Sequence, residues 1–139
     1  MRRNQISSYE NLQESVRELD LGVIDTVRYV YNDKDTVITI KTDEFTSICP
    51  KTSLPDFAKL TIYYRPDKLL IELKSLKFYL HKYRNLGIFQ ENAISKILED
   101  LVKSASPNFM MVVGEFNPRG GLSTRIVSRY YKDRESFED

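Results

Sequence analysis

Apolar residues follow one pattern in the first half of the chain and another in the second. "GVIDTVRYVY" and "DTVITIKTDEF" are rich in β-branched and aromatic residues, and the turn-like "NDK" between them predicts a hairpin. "FAKLTIYYRPDKLLIEL" repeats the pattern as a strand, a turn at "RPDK" and a second short strand. The period then lengthens. From Leu86 to Lys103, Ala93, Ile94, Ile97, Leu98, Leu101 and Val102 recur at three- and four-residue steps, the apolar stripe of an amphipathic helix. "SLKFYLHKYRN" from Ser75 reads as a shorter helix before it, stopped by Asn85 and Gly87. "NFMMVVGEF" and "LSTRIVSRYY" are two more strands, joined by "NPRGG" as a tight turn.

The order of strands, two helices and two strands lacks the alternation of a parallel sheet. It predicts an α+β domain, an antiparallel sheet with helices on one face. Residues 1–20 form a polar N-terminal segment in which Leu12, Val16 and Leu19 share one face of a short helix. Residues 21–131 form a single domain, and 132–139, "KDRESFED", a solvated tail. Exposed edge strands in so small a domain favour pairing with other subunits, so a homo-oligomer is expected.

Composition narrows the chemistry. The 139 residues carry 21 basic and 20 acidic side chains, which removes the usual argument for a general nucleic-acid or membrane-surface binder. No apolar run is long enough to span a bilayer or serve as a signal peptide, so a cytoplasmic location is expected. With one Cys and one His, no multi-Cys/His zinc site can be assembled, and no metal is expected. The glycines, at 22, 87, 114, 120 and 121, fit neither G-x-G-x-x-G nor a Walker A loop, so any nucleotide must be held otherwise.

Cys49 lies in "FTSICPKTSLPDF", between a strand-like run and a loop stiffened by Pro50 and Pro55. A lone thiol is usually a small buried hydrophobe, and a free thiol of pKa about 8.5 is mostly protonated at neutral pH. The loop could instead set Cys49 and Asp56 against one site, and Asp56 could equally be a turn or cap residue. His81 shares a helix face with Lys77 and Arg84, the spacing of a solvated stripe. Lys74, Lys77, His81 and Arg84 near a helix N-terminus suit phosphate, though a solvated face has the same spacing. Glu72 and Glu91 could each accept paired hydrogen bonds from a heterocycle, or simply favour helix N-termini.

These stretches together resemble the NADPH-dependent 7-cyano-7-deazaguanine reductases of queuosine biosynthesis, in their short single-module form. "FTSICPKTSLPDF" looks like the family's cysteine loop, "ELKSLKFY" is similar to its E-[SL]-K-[SA]-x-K-[LY]-[YFW] signature, and "FNPRGG" resembles a third segment. Only Phe78 departs from the signature. The motifs fall in order between roughly residues 43 and 122. The resemblance implies a tunnelling fold: an antiparallel four-stranded sheet backed by two helices, assembled side by side into a ring or barrel with active sites between subunits.

It also implies roles. Cys49 matches the nucleophile that adds to the nitrile carbon to give a covalent thioimide, and Asp56 the proton donor. Ile71, Glu72 and Leu73 match the substrate-contacting segment, and Glu91 the acid that holds the guanine-like edge, with Gln90 beside it. Lys74, Ser75, Lys77 and Arg119 match positions associated with NADPH. The substrate would be the free base, without direct nucleic-acid contact and without a membrane. One departure stands out: the family usually has "HE" where this chain has Gln90 and Glu91, and Gln cannot hold a proton near neutral pH. Two rival readings remain. One is an amidinotransferase relative acting on tRNA, against which the balanced charge and "ELKSLKFY" argue. The other is a non-catalytic purine- or pterin-binding member, in which Cys49 only packs.

Overall fold

A computed structural model describes residues 13–133. Strands β2 (Ile38–Ile48), β3 (Pro55–Arg65), β5 (Phe109–Arg119) and β6 (Leu122–Tyr131) form one antiparallel sheet in the order β2-β3-β5-β6. The α+β class therefore stands. β3 shows the alternation that places one face inward: Asp56, Ala58, Leu60, Ile62 and Tyr64 are buried, whereas Phe57 and Lys59 are exposed. Gly120 and Gly121 both take positive φ, 58° and 83°, which lets two residues turn β5 into β6.

The expected hairpin between the first two strand candidates does not form. From "GVIDTVRYVY" only Thr26–Arg28 is strand (β1), and it pairs with β4 (Leu69–Ile71) in a separate two-stranded ribbon. β4 leaves the main sheet at the "RPDK" turn, so β1 follows a partner some forty residues downstream that local propensity does not reveal.

Helix α1 (Leu73–His81) starts two residues earlier than expected because the Glu72 side chain caps it. A 3-10 turn, Lys82–Asn85, follows it. Helix α2 (Gln90–Ala105) starts four residues later than expected and ends at Ser106 in the left-handed conformation. The delay has a backbone cause: Ile48 N–H donates to Leu86 O and Ile88 N–H to Ile48 O, both at 3.0 Å. Residues 86–88 are thus extended against the end of β2, although their apolar pattern continues that of the helix.

Both helices cover the inward face of the sheet. Leu76 and Tyr79 of α1, and Ala93, Ile94, Ile97, Leu101 and Ala105 of α2, join Leu60, Ile62, Met110 and Val112 in one core. Gly114 lets α2 approach, since a Cβ there would lie 2.5 Å from Ile94 Cδ1. A polar lash ties the helices together: Tyr79 Oη donates to Asp100 Oδ2 at 2.6 Å and lies 2.7 Å from Tyr83 Oη. Burial pushes both phenols well up, so they remain neutral donors.

The short N-terminal helix is a 3-10 turn at Gln13–Glu18, with Val16 buried and Leu19 exposed. Leu12, like residues 1–11 and 134–139 of the two polar ends, lies outside the described residues. Buried Lys96 of α2 donates to Arg17 O and Leu19 O at 3.1 and 3.0 Å and faces Asp100 at 3.4 Å, so this segment is fastened to the domain.

Candidate active site

Cys49 stands where β2 ends. The loop after it closes on itself: Cys49 N–H donates to Leu54 O and Ser53 N–H to Cys49 O, each at 2.8 Å. Pro50 is buried beneath the loop, and Ser53 takes a left-handed φ of 62° to complete the turn. Thr52 Oγ1 accepts from Leu54 N–H at 3.2 Å, which leaves its hydroxyl hydrogen for the thiol. Partial burial pushes the Cys49 thiol up. Hydrogen bonds from the Thr52 hydroxyl and from the Thr52 and Lys51 backbone N–H groups outweigh burial, so the thiol lies below its ordinary pKa. The charge of Asp56 opposes this and is the smallest of these effects. The thiol is only partly buried.

Asp56 is 6% exposed, and the β2–β3 register sets it directly opposite Ser47. Arg119, at the β5 bulge, reaches back with Nε 2.9 Å from Asp56 Oδ1 and an Nη2 hydrogen bond to Pro55 O at 2.6 Å. The structure thus joins Arg119 to the carboxylate of the cysteine loop. Ser47 Oγ is fully buried with no hydrogen-bond partner among the described residues.

Gln90 and Glu91 open α2 above the same end of the sheet. The Gln90 amide oxygen accepts from Thr124 Oγ1 on β6, and Thr124 pairs with Phe116, three residues before Arg119. Residues 86–88 bond to Ile48, one residue before Cys49. The cysteine loop, Asp56, Arg119 and the α2 N-terminus therefore gather at one end of one chain.

The "ELKSLKFY" residues divide. Ile71 is buried, and its N–H donates to Tyr64 Oη at 3.0 Å. Glu72 is the α1 cap: its carboxylate accepts from Ser75 N–H at 2.8 Å and Lys74 N–H at 2.9 Å, which holds its pKa below the ordinary carboxylate value. These are the N–H groups that a phosphate at the helix N-terminus would need. The Ser75 hydroxyl donates to Glu72 O at 2.9 Å and accepts from Asp25 N–H at 2.8 Å, so this buried residue shapes the turn. Leu73, Lys74, Lys77 and Phe78 are exposed.

Lys77, His81 and Arg84 rim a groove of about 320 Å³ between α1 and β2, floored by Leu73, Leu76, Leu80, Phe45 and Ile62. Neither Lys77 nor Arg84 makes an ion pair among the described residues. His81 lies on this rim with Lys77 and Arg84, the face its spacing implied. Thr52, Thr124 and Ser47 were not singled out by sequence; only the C-P-x-T spacing of Thr52 could have pointed to one of them.

Three comparisons bear on this arrangement. The profile of the family described as QueF-like protein matches residues 55–135, from β3 onwards. Proteins named NADPH-dependent 7-cyano-7-deazaguanine reductase from two organisms are 52% identical to this chain. In Caldanaerobacter subterraneus subsp. tengcongensis the match covers 95% of this chain and 93% of that protein; in Caldicellulosiruptor bescii it covers 94% and 95%. A crystal structure titled archaeosine synthase QueF-Like in the apo form superposes with a TM-score of 0.65 over 71% of this chain and 96% of that one. At 19% identity that likeness concerns the fold alone. Identity above one half along nearly the whole of both chains, joined to the family match, shows that this chain belongs to the QueF-like family of NADPH-dependent 7-cyano-7-deazaguanine reductases.

Proposed function

We propose that the protein reduces the nitrile of 7-cyano-7-deazaguanine to the aminomethyl group with NADPH, for queuosine biosynthesis, through a covalent adduct on Cys49. The observation that carries the covalent step is the placement of Cys49: a partly buried free thiol at the end of β2 in a self-closed loop, with Asp56 and its partner Arg119 at the same end of the sheet, and with hydrogen bonds from Thr52 and Lys51 lowering its pKa.

Cys49 sulfur adds to the nitrile carbon, one C–N π bond breaks, and nitrogen takes a proton, giving a thioimide. Asp56, paired with Arg119, accepts the thiol proton and passes it to nitrogen, so addition consumes and releases nothing. A nitrile needs four electrons to become an amine, which NADPH supplies as two hydrides. After the first, the C–S bond breaks, Cys49 leaves as thiolate and an imine remains; the second gives the amine, and each hydride is matched by one proton taken from solvent through Asp56. Glu91 receives the guanine-like edge and Gln90, fixed by Thr124, lies beside it. Ile71, Glu72 and Leu73 form the wall before α1.

The α1 groove offers the cofactor an apolar floor for a ring and the Lys77 and Arg84 cations for phosphates, with Glu44 the one carboxylate in its lining among the described residues. Ser75 also builds the turn that presents Lys74, and Arg119 also pairs with Asp56. The edges of the sheet, β2 and β6, join neighbouring subunits into a ring that brings each groove to a cysteine loop. Among the described residues no helix is long and apolar enough to cross a membrane; the cytoplasm is the proposed location.

The test is stoichiometry. With the free base, NADPH oxidation should stop at two per base with the primary amine formed. Consumption of the base without NADPH oxidation would refute reduction.

A further inference from the structure

Helix α2 has no cap from its own N-terminus, since Phe89 stands at the N-cap and offers no side-chain hydrogen bond. The missing group comes from the N-terminal segment. Gln13 Oε1 accepts from Phe89 N–H at 3.1 Å, 76 residues along the chain, and from Asn92 Nδ2 at 3.2 Å. Gln13 Nε2 donates to Gly87 O at 3.0 Å. One amide thus grips both ends of the segment 87–92, which carries Gln90 and Glu91. The same segment bonds to Ile48, next to Cys49.

We infer that Gln13 is a positioning residue for base recognition, fixing Glu91 against the end of β2 so that the span from Glu91 to Cys49 is set before the base arrives. The inference rests on the reading of Glu91 as the acid that receives the guanine-like edge. A planar, rigid base must reach Glu91 with one edge and Cys49 with its nitrile. Variation in that span therefore adds an ordering cost to binding. Cys49 itself is held by β2 and its own loop, so its chemistry should survive loss of Gln13. The segment that holds Gln13 is independently fastened to α2 through Lys96.

The experiment is a double-mutant cycle with Gln13→Ala and Glu91→Gln in the full chain, following KM for the base, KM for NADPH, kcat and the melting temperature. Gln13→Ala should raise KM for the base about tenfold, the scale of losing such a hydrogen-bonding group, with kcat and KM for NADPH changed less than about twofold. In the Glu91→Gln background the same substitution should add less than about twofold, because its effect passes through Glu91. An equal factor in both backgrounds, or a lowered melting temperature with unchanged KM, would make Gln13 merely structural and overturn the inference. If Glu91→Gln raises KM and Gln13→Ala does not, the inference fails alone. If Glu91→Gln leaves KM unchanged, the reading of Glu91 fails first and takes this inference with it.

Discussion

The Thr52 hydroxyl accepts from Leu54 N–H with its lone pair and keeps its hydrogen for Cys49 sulfur, so one small side chain both closes the loop and lowers the pKa of the thiol. Thr52→Val keeps the volume and removes the donor. The Cys49 pKa should then rise, and alkylation by iodoacetamide at neutral pH should slow by roughly two- to tenfold, the range of one hydrogen bond. An unchanged pH profile of alkylation would mean that the backbone N–H groups alone hold the thiolate. Ser47 offers a contrasting case. Its buried hydroxyl has no partner among the described residues, so Ser47→Ala should raise the unfolding free energy by about 1 kcal/mol. A denaturant titration showing a loss instead would reveal a bond that the hydroxyl makes. Cys49 and Asp56 could be read together from sequence because they flank a loop that begins and ends with proline, at Pro50 and Pro55. Arg119 could not be assigned to Asp56, since its reach depends on the β5 bulge, which leaves no local mark.

At the scale of elements, α2 was the most legible because its apolar stripe repeats over four turns and packs on the inward face of the sheet. Its start was misplaced because Leu86 and Ile88 satisfy the same stripe while their backbone pairs with Ile48. The ribbon of β1 and β4 was illegible for a related reason: three residues of pairing between distant segments carry too little pattern to read. Gly114 tests how α2 is seated. Gly114→Ala would push a Cβ into Ile94 and should lower stability by about 1–3 kcal/mol, measured by denaturant unfolding. Glu72 tests the start of α1. Its carboxyl is held below the ordinary pKa, so its contribution is full above the unfolded-state pKa and fades as pH falls through the lowered folded value. Glu72→Gln should therefore lower the melting temperature at neutral pH, and the difference should close in acid. A constant difference would show that charge at the cap has no part.

At the scale of the molecule, a single chain gathers the cysteine loop, Asp56, Arg119 and the α2 N-terminus at one end, and the groove rimmed by Lys77, His81 and Arg84 runs to Thr46, whose hydroxyl donates to Asp56 O at 2.7 Å. The open sheet edges at β2 and β6 are the basis for expecting assembly. Light scattering should give a mass several times the 16.3 kDa of one chain, and a monomer retaining full activity would refute a shared site. The family motifs made the chemistry legible, whereas the link from Gln13 to Phe89 did not show, because a glutamine in a polar segment has no distinguishing pattern. The most direct test of the covalent reductase is intact mass after mixing with 7-cyano-7-deazaguanine alone. The thioimide predicts a gain equal to the whole base, absent in Cys49→Ala and cleared by adding NADPH. No gain, or a gain that persists in Cys49→Ala, would contradict it.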